Sequence, residues 1–172
     1  GARMPTLVKI DGLSGHGDAT LVGYADGNWF VADSFAFGVE REMKKPGGKG
    51  GTQDINIGVG ALRQFGISKS VNAASALLAQ YAVNGNSAGG AQIDFVHIAE
   101  DQPTVYLRYR LDRCFVASWS TSGDADAPSE EIALHFNKVA FAVAGGGPVF
   151  SWDNVKQKKW NKHGLVPLPA LG

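Results

Sequence analysis

Four histidines, one cysteine and a short acidic run are the groups in this chain that could do chemistry, and their spacing decides how much. His16, His97, His135 and His163 never fall at metal-ligand spacing. His97 and His135 lie on two stretches with strand character, so a shared site would require those strands to pair. A surface histidine on each strand is the simpler reading. Cys114 stands beside Phe115 and Val116 and reads as a small buried apolar residue. As a nucleophile it would need a base and a group to orient that base, and the sequence displays neither. Asp124, Asp126, Glu130 and Glu131 could gather round a calcium ion, but their spacing matches no EF-hand, and a solvated loop accounts for them. Gly145-Gly146-Gly147 runs into Pro148, which lacks the amide a phosphate cradle needs. No catalytic residue, cofactor site or metal site is assigned. A binding or self-assembling protein fits this profile better than an enzyme.

The elements that would position these groups are mostly strands. From Val105 to Phe115 one face holds Val105, Leu107, Tyr109, Leu111 and Phe115, while Tyr106, Arg108, Arg110 and Asp112 take the other. That alternation is the signature of a half-buried strand. A second run repeats it with Ile132, Leu134 and Phe136 inward, until Lys138 breaks the parity and Val139, Phe141 and Val143 take over. A bulge near Lys138, or burial on both faces, would explain the switch. The polar connection Thr121–Glu131 makes the pair a large antiparallel hairpin, centred on Val105–Val143. Shorter strands are predicted at Thr6–Ile10, Trp29–Val39 (interrupted by Asp33), Ile55–Val59, Gln92–Ile98 and Val149–Val155. The one helix is predicted at Ser68–Val83, capped by Ser70 and ended by Asn84-Gly85. The segment Glu40–Asp54, with Pro46 and four glycines, cannot hold a regular helix or strand. It reads either as a solvated loop or as an arm that orders against a neighbour.

Composition narrows the function classes. The 172 residues suit one domain, drawn here as residues 6–160 between an N-terminal stretch 1–5 and a tail 161–172 that frays beyond Trp160. Gly1-Ala2-Arg3 ahead of Met4 reads as a cloning remnant. Sixteen basic and sixteen acidic residues cancel, so the chain lacks the bias of a nucleic-acid binder and resists self-association weakly. No apolar run approaches the about 20 residues of a membrane span, and no signal peptide opens the chain. A cytoplasmic product exported without a cleaved signal is expected. Arg108 and Arg110, on one strand face, read either as candidates for pairing with acids across a subunit contact or as a solvated strand face.

The hairpin resembles a known family. Val116-Ala117-Ser118-Trp119-Ser120-Thr121-Ser122-Gly123, a variable loop, then Pro128, Glu130, Ile132, Leu134, Phe136, Lys138 and Val139 are similar to the C-terminal signature of the Hcp family (haemolysin-coregulated proteins), the tube proteins of bacterial type VI secretion. Ser34-Phe35-Ala36-Phe37-Gly38 is similar to that family's aromatic strand, with Ala36 and Phe37 where a serine and a tryptophan are common. The Gly-rich loop, the single helix and Trp152 follow in family order. The DGLSGHGDA start departs from the usual acidic run.

The resemblance implies a mainly β fold, an antiparallel β-barrel or two-sheet domain with one flanking helix, shared with phage tail tube proteins. It implies a homohexameric ring that stacks into the inner tube of the secretion apparatus and carries small effector proteins in its lumen, with sheath and spike proteins as further partners. A ring closed by heterologous contacts uses two different patches per subunit. The candidate interface residues are Glu40, Arg41, Glu42, Lys44, Lys45, Pro46 and Lys49 on the loop, with Arg108 and Arg110 on the strand. A prophage tail tube protein is the alternative, and a monomeric β-barrel binding or hydrolytic domain with a concave polar pocket the more distant one.

Overall fold

The computed structural model describes residues 3–44, 56–123 and 127–171. In chain order they form β1 (Thr6–Ile10), β2 (Trp29–Ala32), β3 (Ser34–Ala36), β4 (Val39–Lys44), β5 (Asn56–Leu62), β6 (Phe65–Ser70), α1 (Ser75–Asn84), β7 (Gly89–Ala99), β8 (Gln102–Ser122), β9 (Ser129–Val143) and β10 (Phe150–Asp153). Every strand pairing is antiparallel. The main sheet runs β2-β1-β7-β8-β9-β6-β3, with β10 added to β9, and β4 and β5 pair only with each other. The ends of that path, β2 and β3, are one extended stretch broken at Asp33, whose amide donates to the Ser68 carbonyl at 2.8 Å. The sheet thus curls into a barrel-like wall, its first and last pairings made by one length of chain that changes partner.

The central hairpin forms as predicted, but its inward set differs: Val105 packs in a cluster on the outer face, and Cys114 and Val116 take the core positions in place of Phe115. β8 and β9 pair from Leu107↔Val143 to Ser122↔Ser129. No bulge marks Lys138: Asp112↔Lys138 and Cys114↔Phe136 keep one register, and the register shifts instead between Val116 and Ser118. The parity switch has the other predicted cause. Val139 and Ala140 are both fully buried, so β9 is covered on two faces there. Across from Asn137, Arg113 adopts φ 54°, which lets β8 change its inward parity at the same level.

The barrel interior holds one cluster that includes Val8, Phe30, Phe65, Ile93, Tyr109, Leu111, Cys114, Leu134 and Phe136. Phe65 and Tyr109 meet edge to face at 5.0 Å, a favoured geometry for aromatic pairs. α1 closes one mouth by burying Leu78 and Ser75, and Gly12 lies so close to the Tyr81 ring that a side chain there would clash with it. A second cluster of Leu7, Ala19, Tyr24, Trp29, Val96 and Ile98 lies on the outer face of β1 and β7.

Several local expectations change. Ser68–Ser70 belongs to β6, not to the helix, which starts at Ser75 and has no side-chain cap at Ala74. The helix end is as predicted, with Gly85 left-handed at φ 72°. Residues 40–44 of the presumed loop form β4, because their pairing with β5 supplies the backbone partners that the segment lacks alone. The tail does not fray at Trp160: Leu168 is buried, and its carbonyl accepts the Gly145 and Gly146 amides at 3.1 and 2.9 Å. Arg3, assigned to the remnant, bridges to Ile98.

Candidate functional site

The residues with chemical potential are spread over the fold, not gathered. His97 lies opposite Thr104 on β7 and His135 opposite Phe115 on β9, with β8 between their strands, so the structure does not bring them together. Cys114 is fully buried, and burial, followed by the charges of Asp112 and Asp11, pushes its thiol up to about 12. A thiol so protonated is a poor nucleophile. Among the described residues no three or more His, Cys, Asp or Glu side chains could hold a metal, and no helix is long and apolar enough to cross a membrane. Asp124 and Asp126 lie outside the described residues.

The candidate arm is a β-ribbon. β4 and β5 pair from Val39↔Leu62 to Lys44↔Asn56, with a register shift between Arg41 and Met43. Glu40 pairs with Arg63 at its exposed base, and Arg41 is exposed. Glu42 and Lys44 are placed on β4 by the backbone. Lys45, Pro46 and Lys49 lie outside the described residues. Within the described chain the ribbon pairs with no third strand. A lone two-stranded ribbon is marginal in water.

The two arginines have partners inside the chain. Arg108 stands directly opposite Asp94, and its fork donates to both carboxylate oxygens, at 2.7 and 3.0 Å. Tyr24 Oη donates to the same carboxylate at 2.8 Å and Gln92 Nε2 at 3.2 Å. Asp94 is only 1% exposed, so these donors replace the water it has lost. The Asp94 hydrogen bonds raise the Arg108 pKa further, and the Tyr24 hydroxyl is raised by its burial and then by the Asp94 charge. Arg110 donates Nη1 to the His163 carbonyl at 2.9 Å and so ties the tail to β8.

Sequence reasoning missed a third polar cluster. Lys69 and Glu130 are cross-strand partners on β6 and β9, and both point inward. They form an ion pair, Ser75 Oγ donates to Glu130 Oε1 at 3.0 Å, and Trp119 Nε1 donates to Oε2 at 2.7 Å. Lys69 Nζ also donates to the Ser70 carbonyl and to Asn72 Oδ1, at 3.0 and 2.8 Å. No signal in the sequence separates Lys69 from a surface lysine except its place in the alternating Phe65-Gly66-Ile67-Ser68-Lys69 run.

One sheet face is left open. The outward sides of β3, β6, β9 and β8 carry two rows, Ser34–Ser68–Glu131–Ser120 and Ala36–Gly66–Ala133–Ser118. They border a shallow depression of about 330 Å³. Glu131 is the single charge in those rows, and the rest are small, so this face offers little for a ligand to grip.

The chain has clear relatives. A family model described as "Type VI secretion system effector, Hcp" matches residues 7–143. No protein of curated function matches the chain in sequence. Among solved structures, one described as a type six secretion system protein is 22% identical, with a TM-score of 0.77, over 92% of this chain and 100% of its own. Hcp1 from Salmonella typhimurium is 20% identical, with a TM-score of 0.69, over 91% of this chain and 99% of its own. The secreted protein Hcp3 from Pseudomonas aeruginosa is 15% identical, with a TM-score of 0.62, over 88% and 98%. At these identities the structures speak for the fold.

Proposed function

Because the chain belongs to the Hcp family, the tube proteins of type VI secretion, we propose that six copies close into a ring and that rings stack into a conduit for small effector proteins. The observation that carries this reading is the β4–β5 ribbon, which has no third strand to pair with among the described residues. A heterologous contact that seats the ribbon on the next copy would satisfy it and would use two unlike patches per subunit, as ring closure requires. Glu40, Arg41, Glu42 and Lys44 of β4, with Lys45, Pro46 and Lys49 beyond it, are the arm residues we assign to that contact. Arg108 and Arg110, engaged within the chain, serve it by holding the strand face in shape.

The small-residue face of β3, β6, β9 and β8 is assigned to the lumen. A conduit must let cargo move, and a lining of serine, alanine and glycine offers neither deep pockets nor dense charge to hold it. Export through the apparatus needs no membrane-spanning helix, and the sheath and spike proteins would contact the outer wall and the tube end. The role is structural, and no side chain is assigned to catalysis. Electron microscopy of the purified protein tests the reading: six-fold annular particles are expected, and particles the size of a single barrel would refute it.

A further inference from the structure

The outward side of β1, β7 and β8 carries a polar row. Lys9 stands opposite Gln92 and Gln92 opposite Arg110, and these three alternate with the inward residues Val8, Ile93 and Leu111. The tail crosses over this row. Arg110 Nη1 donates to the His163 carbonyl at 2.9 Å, Gly164 lies against the same guanidinium, and Lys138 Nζ sits 5.9 Å from the centre of the Trp160 ring. Between tail and sheet lies a cleft of about 280 Å³, bordered by the row, by Trp160, Lys162 and His163 above it, and by Asp11 and Asp112 along one edge.

The two signs of charge in this cleft are not equally engaged. Asp11 Oδ2 accepts the Gly90 amide at 2.9 Å, and Asp112 lies 3.8 Å from Lys138. Among the described residues no carboxylate forms an ion pair with Lys9, Arg110 or Lys162. Arg110 uses one donor on the tail and keeps the others. Cations gathered without a counter-charge call for an anion, and an oxoanion satisfies an arginine and two lysines best. The acids, already engaged, do not need a further cation, but their remaining lone pairs and the Gln92 amide suit hydroxyl donors. Trp160 adds a flat apolar wall. The volume is near the lower end for small-molecule sites, so the cleft holds one ring and not a chain of them.

We infer that the cleft between β1–β7–β8 and the tail binds a phosphorylated monosaccharide. The phosphate lies among Lys9, Arg110 and Lys162, and the ring hydroxyls face Asp11, Asp112 and Gln92. The site shares no residue with the open small-residue face or with the arm, so it does not depend on the ring.

Calorimetric titration of the full chain with glucose 1-phosphate and with glucose 6-phosphate tests it. Saturable binding of at least one of them is expected, with glucose and inorganic phosphate each weaker by about tenfold or more. No binding of either sugar phosphate overturns the inference, and so does equal binding of inorganic phosphate. Lys162→Glu, at an exposed position, should cut the affinity about tenfold and leave the melting transition in place. Lys158→Glu makes the same charge change at an exposed position outside the cleft and should leave the affinity unchanged. Equal losses in the two variants, or no loss in Lys162→Glu, overturn the site.

Discussion

Lys69 and Glu130 face each other across β6 and β9 as an ion pair whose side chains are only 1% and 0% exposed, at the junction where the barrel wall meets α1. Ser75 and Trp119 complete the carboxylate's partners, and Asn72 bonds Lys69 and also accepts the Ala74 amide at the helix entrance. The pair thereby fixes helix, hairpin and β6 to one another. Glu130→Ala leaves the lysine buried without a counter-charge and should cost about 3–5 kcal/mol in a urea titration. The double variant Lys69→Met/Glu130→Leu should lose much less, because no charge is stranded. Equal losses would contradict the coupling.

The Tyr24–Asp94–Arg108 cluster pins the loop before β2 onto the outer face. Tyr24 is raised above the ordinary tyrosine pKa of 10.0, chiefly by burial and then by Asp94. An acid group raised in the folded state stabilises fully below its unfolded pKa. Its contribution is lost as pH climbs above about 10, where the unfolded chain sheds the proton first. Tyr24→Phe should flatten part of the alkaline loss of stability while Tyr109, also raised by burial, keeps the remainder. Thermal melts between neutral pH and pH 11 would detect the change.

Arg108→Ala removes both guanidinium hydrogen bonds from a carboxylate that is 1% exposed. A loss of about 1–3 kcal/mol is expected, read by chemical denaturation. Arg108→Lys should recover only part of it, since an ammonium cannot span both oxygens.

Replacing Pro46–Gly51 with a short Gly-Ser linker should weaken ring formation and leave the barrel's melting transition in place. Sedimentation velocity would show the shift from ring to monomer; an unchanged ring population would contradict the arm assignment.

On the open face, Ser118→Arg puts a long cation among small residues. Ring mass should persist while retention of a small cargo protein by the tube falls, measured by co-purification. Loss of the ring itself would place this face at a subunit contact instead of the lumen.

The parts of the fold that could be read in advance were those where one physical signal acted alone. Ile132–Phe136 alternates cleanly because one side of that strand is core and the other is not, whereas β8 changes its inward parity opposite the Phe95/Val96 register shift and again at Arg113, so Val105 and Phe115 leave the face shared by Tyr109 and Leu111. The helix starts later than Ser70 suggests because Ser68–Ser70 pair with β9 as the end of β6, with Lys69 turned inward, and Ser70 offers a cap side chain that the helix does not use. β4 was hidden by the Pro- and Gly-rich sequence that follows it, although Val39–Lys44 itself can pair once β5 returns alongside. The outer cluster of Leu7, Trp29 and Val96 left no mark in the local pattern, because burial on the second face comes from a loop distant in sequence. Composition marks out the Gly-rich segment, but the β4–β5 ribbon that leads into it depends on pairing that no local signal encodes.

The molar mass of the purified chain, by size-exclusion chromatography with light scattering, bears most directly on the central claim. A mass near six times 18.1 kDa, about 109 kDa, is the predicted result. A stable 18.1 kDa monomer at micromolar concentration would contradict the ring.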